Sequence, residues 1–241
     1  TLDNVANTGS FSNVESIIGN ADDDTITLLT AISNGRVALN AGDDSLTLAD
    51  ATNSVTIAGV ETIVGGTGND SVTLASAYIG VEIDLGDGSD KLTLGNYTNN
   101  VSTIDVETVV GGTGNDTITI NDGGAATIIA GRGINSVYGH DAADVFVFDQ
   151  TAAGTLTRVM NFDGGSGNKI GLDVSTSSTL TGNAYVMGGA LADGSNITSV
   201  ADFDHLVTTA LSTGNKGAFA YEADTGELYY STNGSFGSNG R

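Results

Sequence analysis

Along the first half of the chain, apolar and polar positions alternate in short bursts. Ile26 and Leu28 flank Thr27, Leu46 and Leu48 flank Thr47, Val72 and Leu74 flank Thr73. Leu92 and Leu94 likewise flank Thr93, and Ile118 and Ile120 flank Thr119. A period of two sets the apolar members on one face of a strand and the threonines on the other. Each burst is entered through a turn that ends in aspartate. The fullest turns are Gly65-Gly66-Thr67-Gly68-Asn69-Asp70 and Gly111-Gly112-Thr113-Gly114-Asn115-Asp116. Glycine accepts positive φ without a Cβ penalty, so these stretches bend tightly.

The bursts recur at a fixed interval. Val14-Glu15-Ser16-Ile17-Ile18-Gly19 returns as Val60-Glu61-Thr62-Ile63-Val64-Gly65 and as Val106-Glu107-Thr108-Val109-Val110-Gly111, 46 residues apart each time. A second turn lies inside each unit, because 37–48 aligns with 83–94 at the same interval. The closing aspartates are Asp24, Asp44, Asp70, Asp90 and Asp116, so shorter and longer steps alternate between them. Each half-unit is expected to make one coil, giving double-coil repeats of 46 residues. The predicted fold is all-β: a parallel, β-roll-like solenoid whose coils bury their apolar faces against one another.

The third unit decays. Arg132 stands where Asp87 stood and Asn135 where Asp90 stood, while Asp144 takes the turn-closing place nine residues after Asn135. A weak or absent cation site is expected at Arg132. From about Asp149 the pattern is lost. Strands are expected at 157–163 and 169–172, a helix at 199–211, and a hairpin from 218–222 to 227–230. The helix has Phe203, Leu206, Val207, Ala210 and Leu211 on one face. The predicted division is a solenoid over 1–148 and a small, mostly-β capping domain with one helix over 149–241. Thr1 falls in the middle of a unit, as if the chain were the end portion of a longer array.

Charge sharpens this picture. The chain has 241 residues, 29 acids against seven bases and a net charge of −22, with no Pro and no Cys. Disulfides and cysteine-bound zinc are excluded. Nucleic acid is disfavoured as a partner, because phosphate binding needs clustered Lys and Arg. No apolar run approaches the length of a membrane span, and these residues contain no basic-then-apolar signal peptide. The acids sit in the repeated turns, among them Asp22, Asp23, Asp43, Asp84 and Asp87. A bent backbone that presents carbonyls beside a carboxylate offers the oxygen ligands that a hard cation such as calcium takes.

The complete turns and their worn copies resemble the nonapeptide Gly-Gly-x-Gly-x-Asp-x-apolar-x of the RTX (repeats-in-toxin) family. The region from Asp144 is also similar to that family's C-terminal segment, through Phe162-Asp163, Lys169-Ile170 and Leu228-Tyr229-Tyr230. The resemblance implies several calcium ions held between turns of adjacent coils, and type I secretion. Carried over by position, the carboxylate ligands are Asp24, Asp44, Asp70, Asp90, Asp116 and Asp144. The rest of the ligand set is Gly19, Asn20, Asp22, Asn40, Gly42, Gly65, Gly66, Gly68, Gly86, Asp87, Gly88, Gly111, Gly112 and Gly114. The predicted coils are longer than the family's and unequal, which suggests a single metal column with variable loops at 29–36 and 75–80 on the other edge. The chain also ends at Arg241 without the apolar strand usual in the family.

One turn offers roughly three oxygens and calcium takes six to eight, so each site needs two coils and binding is linked to folding. The expected role is a calcium-dependent structural or adhesive segment of a large bacterial cell-surface protein, such as a surface-layer subunit, a filament protein or an adhesin. It would be secreted and fold outside the cell, with calcium, a cell surface or further copies of itself as partners. The alternatives are the secretion tail of an extracellular hydrolase and an ice-binding repeat, the latter from the Thr-Gly-Asn tips. Catalysis within the chain is not expected. There is no HExxH and no G-x-S-x-G elbow, and the only histidines, His140 and His205, sit in a worn turn and on the predicted helix.

Overall fold

Strands form where threonine or serine alternates with aliphatic residues, and they stop at the turns. The computed structural model describes residues 1–121, 123–149, 156–162, 168–173, 187–188, 218–222 and 227–231. The helix predicted at 199–211 lies outside them. In chain order the strands are Thr8–Phe11 (β1), Ser16–Ile18 (β2), Thr25–Leu28 (β3), Gly35–Ala38 (β4), Ser45–Thr47 (β5), Ser54–Ala58 (β6) and Thr62–Val64 (β7). Next come Ser71–Leu74 (β8), Ile79–Asp84 (β9), Lys91–Thr93 (β10), Asn100–Ile104 (β11), Thr108–Val110 (β12), Thr117–Ile120 (β13) and Thr127–Ile129 (β14). The last are Ile134–Tyr138 (β15), Val145–Asp149 (β16), Leu156–Met160 (β17), Lys169–Asp173 (β18), Met187–Gly188 (β19), Ala218–Glu222 (β20) and Glu227–Ser231 (β21).

Odd-numbered strands β1 to β17 pair in order as one parallel sheet, and even-numbered strands β2 to β18 as a second. From β1 to β16 successive strands alternate between the sheets, so the expected parallel β solenoid is present, with about eight coils. The core lies between the sheets. Ile26, Leu46, Val72, Leu92 and Ile118 point into it and are fully buried. The intervening threonines lie half-buried on the outer faces. Each aliphatic side chain meets a counterpart one coil above, as in Ile26↔Leu46 and Leu46↔Ile63. Full burial of such a side chain contributes roughly 1.5–3 kcal/mol. Strands β17 and β18 continue both sheets in parallel. The predicted hairpin is formed by β20 and β21, and β21 pairs antiparallel with β17.

Coil length differs from the sequence expectation. Ile26 pairs with Leu46, as the spacing of the turns requires, but Leu46 then pairs with Ile63 rather than with Val72. The second coil is therefore shorter than the first, not longer. Val72, Leu92 and Val109 repeat those two steps in the other sheet. The chain thus makes two and a half coils per repeat: β3 to β7 become β8 to β12, with the sheets exchanged. The cause is a tight corner without a glycine–aspartate turn. Asn13, Gly59 and Asp105 occupy equivalent places and all have positive φ, at 54°, 56° and 50°. Each is followed by a valine, and Val60 and Val106 are buried. These corners divide what reads in the sequence as a single long coil.

Candidate metal centres

An odd number of strands per repeat moves the acidic turns from one edge of the solenoid to the other. Turns 19–24 and 39–44 lead from the even to the odd sheet, whereas 65–70 and 85–90 lead from the odd to the even. The turn at 111–116 returns to the first edge. The single metal column expected from the sequence is thus replaced by separate stacks on alternating edges. Each stack has three turns of six residues: 2–7, 19–24 and 39–44; then 48–53, 65–70 and 85–90; then 94–99, 111–116 and 130–135. The sixth residues are Asn7, Asp24 and Asp44, then Asn53, Asp70 and Asp90, then Asn99, Asp116 and Asn135.

These sixth residues stitch the turns together. Asn53 N donates to Asp70 Oδ1 at 2.8 Å and Asp70 N to Asp90 Oδ1 at 2.6 Å. Asp90 N donates to Glu107 Oε2 at 2.6 Å. The first stack has the same chain from Asn7 N to Asp24 Oδ1, Asp24 N to Asp44 Oδ1 and Asp44 N to Glu61 Oε2. In the third, Asn99 N reaches Asp116 Oδ1 and Asp116 N reaches Asn135 Oδ1. The fifth residues bond in the reverse sense. Asp43 N donates to Asp23 Oδ1, Ser89 N to Asn69 Oδ1 and Ile134 N to Asn115 Oδ1.

This ladder uses one oxygen of each aspartate. The other, Oδ2 of Asp24, Asp44, Asp70 and Asp90, is buried and has no hydrogen-bond partner. A buried carboxylate oxygen left in this way is costly. Burial is the largest influence on the Asp44, Asp70, Asp116 and Asp144 carboxyls and raises each above the ordinary carboxylate range. Asp90 is pushed up to about 6 by burial, against the pull of the Asp70 N–H, with further upward pushes from the charges of Asp70, Glu107 and Asp105.

Glycines let the turns stack closely. A methyl group on Gly19 would lie 2.6 Å from Asp24 Oδ2 and 2.7 Å from the Leu39 carbonyl oxygen. On Gly65 it would collide with the Leu85 carbonyl, and on Gly111 with that of Ala130, 3.3 Å from Asp116 Oδ2. Gly66, Gly68 and Asp87 join adjacent turns through Gly68 N to Asp87 O and Asp87 N to Gly66 O. Gly86, Gly88, Gly112 and Gly114 each face a backbone carbonyl of the turn beneath. Gly42 faces the Asp22 carbonyl. Asn40 donates from Nδ2 to the Gly19 carbonyl, and Asn20 Oδ1 accepts from Asp22 N. Asp22 and Asp87 have exposed side chains, apart from the buried carboxylates. Asp144 lies in a further turn, accepting from Ala126 N and donating its own N–H to Asn168 Oδ1.

Sequence reasoning missed the asparagine turns and the glutamates that end the ladder. Asn7, Asn53 and Asn99 recur at the 46-residue interval, as do Glu61 and Glu107, so the repeat itself carries the signal. Their turns lack the closing aspartate by which the others are recognised.

The donors fit a hard cation. They are carboxylate and carbonyl oxygens, with no thiolate, and among the described residues four buried carboxylate oxygens are without a partner. Among the described residues no three acidic, histidine or cysteine side chains gather at one point. A bound ion would thus draw most of its ligands from backbone carbonyls, which calcium accepts. Comparison with protein-family models, curated proteins and solved structures returns no match.

Proposed function

We propose that the chain is an RTX-like, calcium-dependent structural or adhesive segment of a secreted bacterial cell-surface protein, without catalysis of its own. Its partners would be calcium and a cell surface or further copies of itself. The observation that carries the reading is the set of buried, unpartnered Oδ2 atoms on stacked aspartates. Asp24 lies directly beneath Asp44, and Asp70 beneath Asp90, each pair joined by a backbone N–H. With both members ionised and dehydrated, each pair repels itself. Calcium would supply the missing positive charge and tie neighbouring turns together. Stabilisation then grows with free calcium by mass action, and affinity per site falls in the weak extracellular range, roughly 10⁻⁴ to 10⁻³ M.

The inward aliphatic residues set the register of the coils, and the aspartates hold adjacent turns at a fixed spacing. The outer faces carry rows of Ser and Thr, such as Thr56, Thr73 and Thr93 in register across the even sheet. Such a rod suits a role as a rigid spacer or contact surface. Circular dichroism with calcium and with excess chelator tests the reading. Strong β signal only in calcium, or a large rise in unfolding temperature with it, is expected. Identical spectra and identical melting in both conditions would refute it.

A further inference from the structure

We propose that the sixth residue of each turn decides whether that turn takes a cation or closes on itself, with aspartate making a metal turn and asparagine a metal-free one. This rests on the calcium reading and adds to it which turns are filled and which are not. The asparagine turns show how closure works. Asn53 Nδ2 donates to the Ala49 carbonyl at 2.9 Å and the Ala51 carbonyl at 2.7 Å, both within its own turn, and to Asp70 Oδ1 at 2.9 Å. Asn7 Nδ2 makes the same three bonds, to the Asp3 and Val5 carbonyls and to Asp24 Oδ1. Asn99 repeats them with Gly95, Tyr97 and Asp116.

In each case a positively polarised NH₂ group sits among two turn carbonyls and one carboxylate. That oxygen cage is the environment a small hard cation occupies. An aspartate has no hydrogen to place there. Asp90 Oδ1 and Asn135 Oδ1 accept equivalent backbone N–H groups, so Oδ2 of an aspartate corresponds to the amide nitrogen. In Asp24, Asp44, Asp70 and Asp90 this atom is buried with no partner, and in Asp116 it accepts one long bond, from Gly112 N at 3.4 Å. The amide thus does internally, at a fixed place in each stack, what a cation does in the turns above it. The third stack supports the rule from the other direction. There the last turn closes with Asn135, whose Nδ2 donates to the Ala130 and Arg132 carbonyls. The same turn carries Arg132 at the position that Asp87 holds in the second stack.

The exchange of one atom should therefore convert one kind of turn into the other. Asp90→Asn keeps the acceptor for the Asp70 N–H and adds an amide that can reach the carbonyls of its own turn. Asn53→Asp removes that amide and leaves a second buried carboxylate beside Asp70. Bound calcium is counted by equilibrium dialysis at saturating calcium, and urea midpoints are measured on calcium-stripped protein. Asp90→Asn should bind one ion fewer than the unaltered chain and have a higher calcium-free midpoint. Asn53→Asp should have a lower calcium-free midpoint and bind one ion more. An unchanged ion count in both variants, or a calcium-free Asp90→Asn less stable than the unaltered chain, overturns the proposal and leaves calcium binding standing. Absence of bound calcium in the unaltered chain overturns both.

Discussion

Asn53→Ala is expected to be among the most damaging polar substitutions in the calcium-loaded protein. Asn53 is 1% exposed. Its Oδ1 accepts the Ile32 N–H at 3.2 Å, and its Nδ2 donates to two carbonyls and to Asp70 Oδ1. Three neutral hydrogen bonds at about 1 kcal/mol and one to a carboxylate at about 2 kcal/mol give an upper bound near 5 kcal/mol. Water entering the space left by the amide would recover part of this, so the expected loss is about 3–5 kcal/mol. Asn7 makes the same three bonds from its Nδ2 at a half-buried position, where solvent can replace them. Asn7→Ala should therefore cost about 1 kcal/mol. Solenoids open locally, so hydrogen exchange is the better assay than a single melting temperature. The Ile32 amide should exchange roughly a hundredfold to a few thousandfold faster in Asn53→Ala, since each 1.4 kcal/mol is a factor of ten. Equal losses at the two positions, or a loss below about 1 kcal/mol at Asn53, would show that the amide does not close the turn.

Acid should act in opposite directions on the two forms. The Asp44, Asp70, Asp90, Asp116 and Asp144 carboxyls titrate higher in the folded protein than in an unfolded chain, Asp90 at about 6. Their contribution is fully present below the unfolded value near 3.8 and is lost as pH rises through the folded one. The calcium-free urea midpoint should thus fall between about pH 4 and 7, while the gain from calcium should grow, because ligands must be ionised. A calcium-free midpoint that rises over this range would contradict the burial of these groups. Gly65→Ala drives a methyl group into the Leu85 carbonyl and should cost about 1–3 kcal/mol in urea unfolding. Gly123→Ala, with no atom within 4 Å of the new methyl, should change stability by less than about 0.5 kcal/mol.

Much of the fold is legible because the core uses only alternation. Period two alone assigns Ile26, Leu46, Val72, Leu92 and Ile118 to the interior, and all are buried. The buried acids can also be read, since Asp24, Asp44, Asp70, Asp90 and Asp116 end turns at regular steps. What escapes is the path of the chain between them. The corner at Gly59 has one positive-φ residue and no turn closed by aspartate, so nothing in its composition distinguishes it from a strand edge. Without that corner, a repeat of five strands reads as four, and the alternation of edges cannot be seen. The asparagines escape for a related reason. Their effect lies in hydrogen bonds to the turn's own carbonyls, which depend on burial rather than on a sequence motif.

The most direct measurement is an anomalous difference map from crystals grown in calcium. Peaks are expected beside the unpartnered oxygens of Asp24 and Asp44 on one edge and of Asp70 and Asp90 on the other, with none enclosed by the turns of Asn53 or Asn99. Peaks confined to the exposed acids such as Asp22 and Asp87, or no peaks at all while the stacks remain closed, would contradict calcium as the ion that holds the coils together.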